Sequence, residues 1–181
     1  MFTLPCIGMF YHDVAALLKN AKYVAVIHVK INPEFNIYLD KDENVVALEC
    51  LNADAKDAYG KKSFAGKSLD ETLQTVVSIA AEKGYMKEDQ TVALTITECT
   101  TDLNATELQT KMDSVVTEAA KEQDITVTTA MDMSEEVRMA QKEAGLIKQA
   151  CSNCNGTGDC PDCPVCGGSF KCVVCGGSGT L

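Results

Sequence analysis

Seven of the ten cysteines in this 181-residue chain fall between Cys151 and Cys175, and the composition changes where they begin. Upstream, apolar residues recur at helix and strand periods. Downstream, Gly, Cys, Pro, Ser and Asn dominate and the periodicity is gone. A segment of that composition cannot bury enough apolar surface to offset its backbone entropy, so it folds only where a metal or disulfides hold it. The length suits one ordinary domain plus a small appendage and is too short for two full-sized domains. The chain therefore divides into residues 1–21, read as an N-terminal helix or the remnant of an anchor, a domain over 22–149, and a cysteine-rich tail over 150–181.

The tail is repetitive. Cys151-Ser152-Asn153-Cys154-Asn155-Gly156-Thr157-Gly158 and Cys172-Val173-Val174-Cys175-Gly176-Gly177-Ser178-Gly179 both fit CxxCxGxG in full. Cys163-Pro164-Val165-Cys166-Gly167-Gly168-Ser169-Phe170 fits except at its last position, and Cys160 forms an overlapping CxxC with Cys163. Two cysteines three apart on a tight turn aim both thiolates at one ion, and the glycines that follow let backbone amides approach the sulfurs. Two such knuckles complete a tetrahedral site, assigned here to zinc and to Cys151, Cys154, Cys172 and Cys175. Cys160, Cys163 and Cys166 supply three ligands toward a second zinc, with Asp159, Asp162, water or no fourth donor completing the set. Disulfides or a redox-active CxxC are the alternatives, but clustering in CxxC pairs is the pattern of metal ligation. His12 and His28 are the only histidines and lie far upstream, so the zinc is read as structural.

These repeats resemble the cysteine-rich zinc domain of DnaJ-type chaperones, which uses four CxxCxGxG repeats and two zinc ions, the first repeat pairing with the last. This chain has a shorter set and contains no His-Pro-Asp tripeptide of a J-domain. The resemblance thus implies a zinc-stabilised surface for protein or peptide contacts.

Composition narrows the function. The formal net charge is -10, with no long Lys/Arg run, so the basic face that nucleic-acid binding needs is not supplied and no nucleic-acid partner is expected. No segment reaches the roughly 18–20 apolar residues of a membrane helix. The apolar start, Met1 to Phe10, lacks a positive n-region, and a membrane anchor is expected only where the chain continues upstream.

Along the domain, residues 11–21 read as a short helix and residues 23–31 as a buried β-branched strand. Asn32-Pro33 interrupts the run. Residues 35–39 and 45–51 give two more strands, separated by the polar turn at 40–44, so an antiparallel meander is predicted. A short helical piece follows near 54–58. Ser68-Leu69-Asp70-Glu71 opens a helix with a capping box, and Gly84 ends it. Then come a strand at 91–97, a helix at 104–121 with Leu108, Met112, Val115, Val116 and Ala119 inward, a strand at 125–128, and a helix from Ser134 to about Gln149. The order β-β-β-α-β-α-β-α predicts an α+β fold: an antiparallel sheet with helices on one face, followed by the irregular zinc-knuckle tail. No glycine-rich phosphate loop follows any strand.

Several motifs carry a second resemblance. Residues 23–34, ending in Ile31-Asn32-Pro33-Glu34, Ile37-Tyr38-Leu39-Asp40, Val45-Val46-Ala47-Leu48, Leu51-Asn52-Ala53-Asp54-Ala55, Gly66-Lys67-Ser68-Leu69-Asp70-Glu71-Thr72 and the closing helix with Glu135, Glu136, Val137 and Arg138 occur in order. Over about 22–147 the chain resembles the extracytoplasmic middle domain of RsgI-type anti-sigma factors, in which the domain relays an external cue. The resemblance implies a self-cleavage candidate at Asn32 and Pro33: the Asn32 side-chain amide attacks its own carbonyl, forms a succinimide and expels the Pro33 nitrogen. A strained turn would speed it. The plainer reading is a turn in which Pro33 enforces an extended Asn32. The family carries an acidic residue two before the Asn, where this chain has Lys30. The family's cytoplasmic sigma-binding segment has no counterpart in this sequence.

Other residues read structurally. His28 is a packed or edge histidine with no Ser/His/Asp grouping around it. Asp40, Asp42 and Asn44 form a solvated turn and lack the Gly and distal Glu of a calcium loop. Glu88-Asp89 and Glu135-Glu136 are helix-end and surface charges, Cys6, Cys50 and Cys99 buried or incidental thiols, and Met131, Met133 and Met139 core filler. Together these features predict a non-enzymatic interaction or signalling module with a protein or peptide partner. The alternative is a chaperone-like or thiol-redox protein acting through the tail. The first domain's resemblance points outside the cytoplasm. The reduced cysteine cluster and the lack of a signal sequence point inside it.

Overall fold

Strands β1 (Ala25–Lys30), β2 (Glu34–Leu39) and β3 (Val45–Cys50) form the expected meander in the computed structural model, which describes residues 22–147. Burial alternates strictly along β2 and over the first half of β3, while β1 is buried from Ala25 to Ile27 and again at Val29, so each strand commits a face to the core. Short helix α1 (Ala53–Tyr59) follows, then α2 (Leu69–Glu82), β4 (Gln90–Cys99), α3 (Ala105–Lys121), β5 (Val127–Met133) and α4 (Glu135–Glu143). The predicted helix at 11–21 and the cysteine tail lie outside the described residues.

The sheet order is β3-β2-β1-β4-β5, which puts β1 at the centre with antiparallel neighbours on both sides. The fold is α+β, but the wholly antiparallel sheet is corrected: β5 runs parallel to β4, in register from Gln90 opposite Val127 to Ile96 opposite Met133. The cause is the connection. A 17-residue helix between two adjacent strands carries the chain back along the sheet, so the second strand starts at the same end as the first.

Strand residues of one parity, Ile27, Val29, Phe35, Ile37, Leu39, Val92, Leu94 and Ile96, share one apolar core with Leu73, Val76 and Val77 of α2 and Leu108, Met112 and Val116 of α3. Phe35, Tyr59 and Phe64 stack edge-to-face within it, with Phe35 and Tyr59 centroids 5.1 Å apart. Each fully buried Leu, Ile or Val contributes about 1.5–3 kcal/mol relative to an exposed one.

Every helix among the described residues begins at a side-chain cap. Asn52, Ser68, Asn104 and Ser134 accept from the backbone two or three residues on. Only half of the predicted capping box forms: Ser68 accepts from the Glu71 amide, but the Glu71 carboxylate pairs with Lys67 instead. Helix α4 stops at Glu143 rather than near 149, because Gly145 takes φ +72° and ends it. Strand β5 runs on to Met133, past the predicted end at 128. Met133 is buried and Met131 half-buried in the core, but Met139 is 47% exposed on α4 and is not core filler.

Candidate functional site: the turn between the first two strands

Lys30 and Glu34 are the last register pair of β1 and β2, and the three residues 31–33 close the turn between them. Asn32 is exposed and Pro33 buried. Asn32 is not extended, as a residue before proline ordinarily is: its φ is +61°, in the left-handed region. Asn tolerates that region better than most residues, yet such a conformation stores about 1–3 kcal/mol and persists only where its surroundings over-determine it.

Four contacts supply that restraint. The Ile31 amide donates to the Pro33 carbonyl at 3.1 Å. The Gln90 side chain, at the start of β4, donates from Nε2 to the Ile31 carbonyl. The other two, to Glu34 and to Asn32, come from Asn52, the N-cap of α1. Its Oδ1 accepts from the amides of Ala55 at 2.8 Å and Glu34 at 3.3 Å. Both of those partners are donors, so this atom is the oxygen and the opposite atom is the amide nitrogen. That Nδ2 donates to Asn32 Oδ1 at 3.1 Å. Asn52 therefore ties the strained residue, the first amide of β2 and the first turn of α1 into one unit.

Beside the turn, the half-exposed face of the sheet carries a continuous polar chain. His28 Nε2 lies 3.1 Å from Glu34 Oε1, and its Nδ1 lies 3.0 Å from Asn36 Oδ1. Asn36 Nδ2 donates to Glu49 Oε2 at 3.1 Å, and the Tyr38 hydroxyl donates to the same oxygen at 2.7 Å. Burial, then the Glu49 carboxylate, pushes the Tyr38 phenol up to about 12. His28 is thus neither simply packed nor at an edge strand; it bridges β1 and β2 through Glu34 and Asn36. Lys30 is exposed opposite Glu34.

A separate cleft of about 340 Å³ lies at the other end of β1 and β4, lined among others by Tyr23, Thr97, Cys99, Glu136 and Val137. Burial pushes the Cys99 thiol up to about 11, which keeps it protonated and a poor nucleophile at neutral pH. Cys50 is likewise half-buried, its thiol raised first by burial. No three His, Cys, Asp or Glu side chains come together as a metal site among the described residues. The assigned zinc ligands Cys151, Cys154, Cys160, Cys163, Cys166, Cys172 and Cys175 all lie outside them. Also among the described residues, no helix is long and apolar enough to cross a membrane.

Of the residues that shape this turn, sequence reasoning identified Asn32 and Pro33 and missed the restraining roles of Asn52 and Gln90. An Asn directly before a helical run signals a cap, so Asn52 was open to discovery as the start of α1. Its second role, toward Asn32, depends on tertiary placement.

A five-stranded sheet whose central strand β1 ends at the left-handed Asn32 before Pro33, backed by helices and closed by a parallel βαβ unit, defines an α+β domain with a restrained turn at one end. Residues 24–151 match the family model described as the anti-sigma factor RsgI-like central domain, and the chain belongs to that family. It is 34% identical over 67 residues to the anti-sigma-I factor RsgI3 of Acetivibrio thermocellus, covering 37% of this chain and 10% of that protein. It is 31% identical over 75 residues to the anti-sigma-I factor RsgI of Bacillus anthracis, covering 41% of this chain and 17% of that protein. The matched stretch is thus a small part of these relatives.

Proposed function

We propose that this chain is a non-enzymatic signalling module in which a cue is relayed through strand β1, made detachable by self-cleavage between Asn32 and Pro33. The observation that carries this reading is the φ of +61° at Asn32, a strained residue directly before proline. In the reaction, a bond forms between Asn32 Nδ2 and the Asn32 carbonyl carbon, and the bond to the Pro33 nitrogen breaks. Nδ2 loses a proton to solvent and the prolyl nitrogen takes one up. Water then opens the succinimide. The exposure of Asn32 lets Nδ2 give its proton to solvent. The event happens once per molecule, so it is a maturation step and not turnover.

The cysteine tail is proposed to hold zinc through Cys151, Cys154, Cys172 and Cys175, with Cys160, Cys163 and Cys166 toward a second ion, and to present a surface to a protein or peptide partner. The CxxCxGxG spacing supports this reading.

Intact mass spectrometry of the full chain tests both. Self-cleavage gives two fragments parting between Asn32 and Pro33, and Asn32→Ala stays whole. Wild-type protein that remains whole on prolonged incubation removes the cleavage reading. A native mass heavier by one or two zinc ions, lost on denaturation to leave free thiols, supports the tail assignment. A metal-free mass lighter by paired hydrogens means disulfides instead.

A further inference from the structure

The geometry points to Asn52 as the positioning residue for Asn32, an inference that rests on the self-cleavage reading above. The argument starts from the direction of the Asn52 carboxamide. Its oxygen is committed to two backbone amides, Ala55 at 2.8 Å and Glu34 at 3.3 Å, so its nitrogen must face Asn32. Asn32 then presents Oδ1, at 3.1 Å, and its own Nδ2 lies at the free end of the carboxamide.

Two consequences follow for the reacting group. A donor on Oδ1 draws electron density toward oxygen and favours loss of the proton that Nδ2 must give up before it attacks. The same bond fixes the rotation of the Asn32 carboxamide, and holding a reacting group near its attack geometry removes part of the entropic barrier. Asn52 also receives the Glu34 amide, directly after Pro33, so one side chain braces both sides of the bond that breaks. Because Asn52 sits at the start of α1, the helix and the core behind it, through Ala55, Ala58 and Tyr59, hold the brace in place. Gln90 secures the residue before Asn32 from the opposite side.

The cap role must be separated from the positioning role, since losing an N-cap alone costs about 1 kcal/mol. Asn52→Asp and Asn52→Ser both keep a capping oxygen and both remove the amide donor. In the full chain, cleavage is followed by intact mass at pH 7, alongside thermal unfolding, for wild type, Asn32→Ala, N52D and N52S. The expected result is cleavage slowed about tenfold or more in N52D and N52S with unfolding temperatures near wild type, in keeping with the loss of one well-aimed donor. A pH series adds a signature that structural support alone does not produce. The carboxyl introduced in N52D regains an O–H donor as pH falls toward about 4, so its rate recovers relative to N52S. N52D and N52S cleaving at the wild-type rate, or slowing only in step with lost stability, overturns the role of Asn52 and leaves the cleavage reading intact. Wild type that stays whole alongside Asn32→Ala overturns both.

Discussion

Gln141 Oε1 accepts from the Ala105 amide at 3.0 Å, so a side chain from the last helix caps the first turn of α3. Its Nε2 donates in turn to the carbonyls of Leu103 at 2.8 Å and Thr100 at 3.1 Å. Gln141 is fully buried, and these bonds fasten α4 to the end of β4. Gln141→Leu keeps the size and strands the Ala105 amide and the Leu103 carbonyl, each worth about 1–3 kcal/mol when buried without a partner, while the Thr100 carbonyl keeps the Leu103 amide. The expected cost is roughly 2–4 kcal/mol. Urea unfolding of the variant against wild type checks it, and a change under 1 kcal/mol would show that α4 is not held this way.

Alkaline pH acts on the sheet's polar face. The Tyr38 phenol titrates at about 12 in the fold against an ordinary value of 10.0. The folded state therefore binds its proton more tightly than the unfolded chain does. Stability from this group is fully present below pH 10 and is lost as pH rises from about 10 to about 12. Tyr38→Phe removes the hydroxyl and its bond to Glu49, so the variant is expected to start less stable and to lose less over that window. Denaturant midpoints for both proteins from pH 9 to pH 12 test this; parallel curves would mean that Tyr38 does not titrate as placed.

The elements that could be read from the sequence are those whose signal is local. The β-branched run of β1, the alternation in β2 and the Ser68 and Ser134 caps depend only on near neighbours, and each formed where its pattern lies. The left-handed Asn32 was not legible, because proline alone argues for an extended residue and the bonds that oppose it come from Asn52 and Gln90, remote in sequence. Gln141 was equally hidden. On an amphipathic helix a Gln reads as solvent-facing, and only the approach of the α3 N-terminus turns it into a core residue. The parallel β4–α3–β5 unit was implicit in the strand–helix–strand order but was overshadowed by the antiparallel meander ahead of it. The cysteine motif is legible as chemistry, and its geometry falls outside the described residues.

Cys99 offers a separate check. Its thiol stands at about 11 against an ordinary value of 9.0, raised by burial. The thiolate fraction at neutral pH is accordingly down by about a hundredfold. With iodoacetamide at pH 8 and peptide mapping, Cys99 is expected to label about a hundredfold more slowly in the folded protein than in urea, and Cys50 more slowly as well. Rapid labelling of Cys99 under native conditions would show that the cleft beside α4 opens freely.

The centre of the sheet sets what a break after Asn32 can do. Strand β1 pairs with β2 on one side and β4 on the other, and Ala25, Ile27 and Val29 are each at most 1% exposed. A nicked molecule thus keeps β1 in place through two ladders and its core contacts, and the halves are expected to co-elute natively and part only in denaturant. The loop no longer closes the chain, however, so retention of the N-terminal piece becomes an association that depends on concentration. Ile27→Ala costs about 2–5 kcal/mol at such a site. In intact protein this appears as a lower unfolding temperature. In nicked protein the same loss weakens retention by about thirty- to several-thousand-fold, at tenfold per 1.4 kcal/mol. Dilution of nicked wild type and nicked I27A, followed by size-exclusion chromatography, measures it. Loss of the fragment from I27A at concentrations where wild type stays assembled makes β1 the detachable element; equal retention in both would place the grip on that fragment elsewhere.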